Sequence, residues 1–138
     1  MRREILFRGK RVDNGEWVEG YLADENYINV PFNDDDVNGR LDEPIEIYSE
    51  TVCEYTGSTD KNGRKIFEGD IVRYIDEVIE KEKVDEVKYN ETHAAFCRLH
   101  KSKMGLQYLW LNEAVANKCE VIGNIFDNPE LLGSRLKE

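Results

Sequence analysis

The stretch "TDKNGRKIFEGDIVRY", Thr59–Tyr74, sets two glycine turns six residues apart ahead of a β-branched run. Asp60, Lys61, Asn62 and Gly63 read as one turn and Ile66 and Phe67 as a short apolar link. Glu68, Gly69 and Asp70 read as a second turn that feeds Ile71, Val72 and Tyr74. Punctuation this dense makes a chain change direction sharply and enter a strand at a fixed register, as a small barrel requires. Downstream, the pattern predicts a strand from Asp70 to about Val78, an exposed acidic loop, and a strand from Val84 to Tyr89. "AAFCRLH", "LQYLWLN" and "CEVIGNIF" complete five strands, the number that suits a small, strongly bent barrel. Residues 75–84 also fit a short helical turn, so their conformation stays open at this level.

Upstream, "EILFRGKRVDNGEWVEGYLA" reads as a hairpin about Asn14-Gly15, because Asn-Gly accepts the positive φ angles of a tight turn. "NYINVPF" continues as a strand that Pro31 confines to an edge or an end. "NDDDVNGRLDEP" is a polar loop, and "IEIYSETVCEYTG" returns to alternation. Near the end, "DNPELLGSRLKE" predicts a short helix with Asn128 or Asp127 as cap and Pro129 in its first turn, and "LNEAVANK" adds a further turn or two. The expected fold is mainly β with minor α. It comprises an N-terminal β-hairpin region (residues 1–50) and a small C-terminal barrel with a terminal helix (residues 51–138).

The chain's 138 residues are enough to bury roughly two thirds of the unfolded surface without a disulfide or a metal. A net charge of -10 argues against passive, sequence-independent binding to nucleic acid, which depends on neutralising phosphates with Lys and Arg. A local exception is "MRREILFRGKR", with Arg2, Arg3, Arg8, Lys10 and Arg11 against Glu4. These cations read as the solvated ends of an edge strand, with a partner-docking arm as the alternative. No run approaches the ~18 apolar residues of a membrane span. Cys53, Cys97 and Cys119 are odd in number and lack CxxC spacing, which fits reduced thiols in a cytosol.

"FRGKR" with "DNGEWVEGYL", "YTGSTDKNGRKIFEGDIVRY", "KYNETHAAF" and "VIGNIFDNPELL" together resemble the YopX family of phage and prophage proteins, over Arg3 to Leu132. The resemblance implies a phage or prophage origin and a mostly β chain whose C-terminal part is a Src-homology-3-type barrel. It supplies no catalytic, cofactor or metal residues.

Three constellations carry side chains of site type. Asp34, Asp36, Asn38 and Gly39 hold positions 1, 3, 5 and 6 of a calcium-loop pattern, with Asp42 at position 9. Position 12 is Ile45 where the bidentate Glu belongs, and the flanks read as strand, so a solvated turn is the better reading. His93, Cys97 and His100 carry zinc-type donors, but three residues is an odd step in a strand and sets Cys97 and His100 on opposite faces. Glu68 and Asp70 flank Gly69 and read as turn residues rather than an acid-base pair. The aromatic residues, among them Trp17, Tyr108 and Trp110, sit mostly in strands and read as core. No phosphate-loop, dinucleotide or nucleophile-elbow motif is present.

The expectation is a cytoplasmic, non-enzymatic accessory protein without cofactor, acting through protein contacts with a host or phage protein or as a homo-oligomer. Nucleic-acid binding through barrel and arm, and an acidic surface that imitates nucleic acid to block a host protein, are the alternatives.

Overall fold

The computed structural model describes residues 4–31, 42–102 and 104–133, and among these the chain forms eleven strands and two short helices. It divides into two units, Met1–Tyr55 and Thr56–Glu138.

The first unit holds β1 (Phe7–Lys10), β2 (Trp17–Asp24), β3 (Tyr27–Pro31), β4 (Asp42–Glu46), a 3-10 turn at Ser49–Thr51 and the start of β5 (Cys53–Thr59). The strands pair antiparallel in the order β4-β3-β2-β1-β5. The predicted hairpin is present: Gly15 has φ +73 and its N–H donates to the Arg11 carbonyl at 2.9 Å. Pro31 closes the β3 register opposite Asp42, and the edge belongs to β4.

The edge-strand reading of the N-terminus is corrected. Phe7 pairs with Gly20 on one side and Glu54 on the other, so β1 is an interior strand. Arg8 is only 8% exposed, with its guanidinium carbon 4.7 Å from the centre of the Trp17 ring, and Lys10 approaches the same ring. An aliphatic stem and an indole face let a cation occupy an inner strand, a possibility that charge counting overlooks.

Where β2 crosses β3, a Cβ on Gly20 would run into the backbone carbonyl of Asn29 and lie 2.9 Å from Ile28 Cγ2. Because the obstacle is backbone in a paired strand, it cannot swing aside. Gly20→Val is therefore expected to lower stability by about 3 kcal/mol. The urea midpoint measures this, and an unchanged midpoint would refute the close approach.

In the second unit the latter part of β5 pairs with β6 (Lys65–Phe67), where the sequence suggested only a link. Ile66 and Phe67 are both buried, which explains why three residues suffice for a strand. The main sheet follows: β7 (Asp70–Asp76), β8 (Lys81–Asn90), β9 (Ala95–Ser102), β10 (Gly105–Trp110) and β11 (Glu120–Asn124). Helix α1 (Glu113–Ala116) precedes β11, and α2 (Glu130–Gly133) follows it. The sheet order is β10-β9-β8-β7-β11, antiparallel throughout, with β10 and β11 as edges. No pairing closes it into a barrel among the described residues.

Residues 75–84 resolve as the end of β7, a four-residue turn and the start of β8. Asp76 Oδ1 accepts from the Val78 N–H at 3.0 Å, and Lys83 Nζ lies 3.1 Å from Asp76 Oδ2. One carboxylate thus organises the turn and ties it to the returning strand. Both helices fall where expected. The Asn112 side chain caps α1 by accepting from the Val115 N–H, and Asn128 Oδ1 accepts from the Asn124 N–H ahead of α2.

Candidate functional site

Strand alternation sorts the residues of the second unit onto two faces, because directly paired residues point the same way. The register puts Val72 and Tyr74 of β7, Lys83, Asp85 and Val87 of β8, Arg98 and His100 of β9, and Gln107 and Leu109 of β10 on one inner face. At its apolar end, Val72, Val87 and Val121 pack with Ile66, Ala116 and Cys119, and Val115 lies against this cluster. Toward β10 the same face turns polar. There it borders a cavity of about 400 Å³ lined by Tyr74, Arg98, Gln107, Leu109, Val115 and Cys119, with the β7–β8 turn and Lys118 at its margin.

Asp85 is fully buried, and its Oδ1 lies 2.6 Å from His100 Nδ1. Burial above all, then the nearby Asp85 carboxylate, push the Tyr74 phenol well above its ordinary value of 10. Tyr74 therefore stays a neutral platform. Arg98 stacks over it, with its guanidinium carbon 4.7 Å from the ring centre, and Arg98 Nε donates to the Trp110 carbonyl at 2.9 Å. Two contacts thus hold the guanidinium in one orientation. Burial pushes the Cys119 thiol up to about 11 and raises Cys97 as well, so both are protonated at neutral pH and neither is an activated nucleophile.

The outer face of β10 has a different character. Leu106, Tyr108 and Trp110 alternate along it and are all exposed, Leu106 to 64% and Trp110 to 63%. The strand "GLQYLW" contains no charged residue in a chain that is 35% charged. Among the described residues β10 pairs only with β9. The reading of aromatic residues as core holds for Tyr55 and Phe67, which are buried, and is corrected for Tyr21, Tyr108 and Trp110. Alternation shows that a strand has two faces, but only the sheet order shows which face is covered.

The zinc-type constellation does not assemble. His100 is engaged with Asp85, the His93 ring lies 5.8 Å from Trp110, and Cys97 is buried with Sγ 3.7 Å from the Ala95 carbonyl. No group of three potential metal-ligating side chains occurs among the described residues. Asp34, Asp36, Asn38 and Gly39 lie outside the described residues, while Asp42 and Ile45 belong to strand β4. Asp70 Oδ2 accepts from Phe67 N–H across the turn, whereas Glu68 Oε2 reaches out of the turn to accept from Tyr89 N–H of β8. No helix among the described residues is long and apolar enough to cross a membrane. Sequence reading missed Arg98, Tyr74 and Asp85; the available signal was a charged residue, Asp85, at the same parity as Val87 in β8.

A family model described as "YopX protein" matches residues 6–133. Among solved structures, the crystal structure of protein EF1440 from Enterococcus faecalis is similar, at 25% identity and a TM-score of 0.52. That similarity covers 95% of this chain and 99% of the other. No curated protein matches the chain.

Proposed function

Taking as premise that the chain belongs to the YopX family, we propose that it is a non-enzymatic accessory protein of a phage or prophage. It acts in the bacterial cytoplasm and assembles with a second copy of itself through β10. The observation that carries this reading is the uncharged, exposed edge strand Gly105–Trp110 with its Leu106, Tyr108 and Trp110 stripe. Solvent-exposed edge strands usually carry charge or proline that blocks pairing, and this one carries neither. An antiparallel β10–β10 contact about a two-fold axis would join the two sheets and make the interface self-complementary. Two chains of net charge -10 repel each other over most of their surfaces, so an uncharged strand is a favourable place for them to meet. This contact is preferred to the basic arm, because Phe7 and Arg8 are paired on both sides.

For the second unit, the finer architecture in this proposal is of the Src-homology-3 type. A four-strand meander whose fifth strand returns beside the first supports it. Raised thiol pKa values and the structural use of Glu68 and Asp70 support a binding rather than a catalytic role.

Light scattering over a range of loading concentrations tests the assembly. The native chain is expected to reach twice its 16.1 kDa mass, and a variant carrying Tyr108→Lys and Trp110→Lys to remain monomeric. Both side chains are exposed, so the variant should unfold at nearly the native urea concentration. A native monomer at every concentration would sink the proposal, as would a variant dimer.

A further inference from the structure

The cavity on the inner face is large enough for a small organic molecule and combines an apolar wall with a fixed cation. Leu109, Val115 and the buried Cys119 form the apolar part. Three cations and two carboxylates line it, and two of the cations face those carboxylates: Lys83 lies 3.1 Å from Asp76, and Lys118 lies 3.5 Å from Glu77. Arg98 differs. Its Nε donates to the Trp110 carbonyl and its plane rests over Tyr74, and it forms no ion pair with a carboxylate among the described residues. A guanidinium has five N–H donors in a rigid fork, so this anchoring leaves most of them for a ligand.

We infer that this cavity binds a small organic oxyanion, a carboxylate or phosphate on an apolar body, with Arg98 as its anchor. The anion meets the Arg98 fork, while the ligand's apolar part lies against Leu109 and Val115. Gln107 offers an amide to the same ligand, and the Lys118 ammonium adds positive charge at the margin. Tyr74 beneath Arg98 supplies the platform, and the fully buried Asp85 carboxylate is engaged by His100. Pre-orientation matters here, because an Arg already held by two contacts loses little rotamer freedom when an anion arrives.

Titration of the ¹⁵N-labelled full chain with benzoate, phenyl phosphate and neutral benzyl alcohol, followed by NMR, tests the inference. Saturable shifts at the Arg98 side-chain N–H and the amides of Leu109, Val115 and Cys119 are expected for at least one anion, with a dissociation constant of ~1 mM. The tighter of the two anions identifies the class as carboxylate or phosphate. Arg98→Met is expected to weaken that binding about tenfold or more, by loss of the charge-assisted bonds. Lys118→Met, at a side chain 70% exposed and so neutral for folding, is expected to weaken it about threefold. The inference is overturned if neither anion produces saturable shifts, or if benzyl alcohol binds as tightly as both. It is overturned equally if both variants bind as the native chain does.

Discussion

Asp60→Ala is expected to destabilise the protein by about 3–5 kcal/mol, the largest effect of any single side-chain truncation in the first turn of the second unit. Asp60 is 3% exposed and its carboxylate serves three backbone donors. Oδ1 accepts from the N–H groups of Asn62 and Arg64, both at 2.9 Å, and Oδ2 accepts from the N–H of Val121 at 3.0 Å. The first two bonds shape the turn at Gly63, and the third fastens that turn to β11, sixty-one residues away in sequence. Removing the side chain strands donors that water cannot easily reach, and each orphan costs roughly 1–3 kcal/mol. Asp13→Ala is the matched comparison, since Asp13 is exposed and pairs with Arg11 across only two residues. Its substitution should leave the urea midpoint almost unmoved. Equal shifts for the two variants would show that the Asp60 network does not stabilise the fold.

Alkaline pH should weaken the protein over a defined window. Cys119 is wholly buried, and its folded pKa of about 11 stands above an ordinary value of 9 because burial disfavours the thiolate. Below pH 9 both folded and unfolded chains hold the proton, and the stabilising contribution is complete. Between about 9 and 11 the unfolded chain releases the proton first, so stability falls as pH rises, by about 3 kcal/mol in all. Tyr74, raised above 10 by burial and by Asp85, extends the fall to higher pH. Urea unfolding under reducing conditions across this range should show the slope, and Cys119→Ala should flatten its lower part. A smaller slope remains from Cys97, which is raised in the same direction. An unaltered profile in Cys119→Ala would mean that Cys119 is not the group that titrates.

Local chemistry made much of this fold legible. Gly15, Gly63 and Gly69 all take the positive φ that their turn positions call for. Alternation located the five strands after residue 69, and the turn expected in "LNEAVANK" is α1. These signals are short-range: a turn or a cap depends on residues within one another's reach along the chain. Ambiguity at residues 75–84 ended only when β7 and β8 paired, because the charges that suggested helical contacts serve equally well across a hairpin, as Lys83 does with Asp76.

Other properties depended on pairing partners far away in sequence. Charge alone made β1 resemble an edge, yet Glu54 of β5 lies against it on its second side and Trp17 shelters Arg8. Conversely, Tyr108 and Trp110 have the composition of a core and stand in solvent, because β10 closes one end of the sheet order. The candidate ligand site is the most tertiary feature of all, assembled from Tyr74, Arg98, Gln107 and Cys119 on four separate segments. Period-two patterning assigns each residue to one of two faces. Strand order then decides which face is covered, which edge is open and which polar groups converge, since those outcomes rest on contacts that no local stretch of sequence contains.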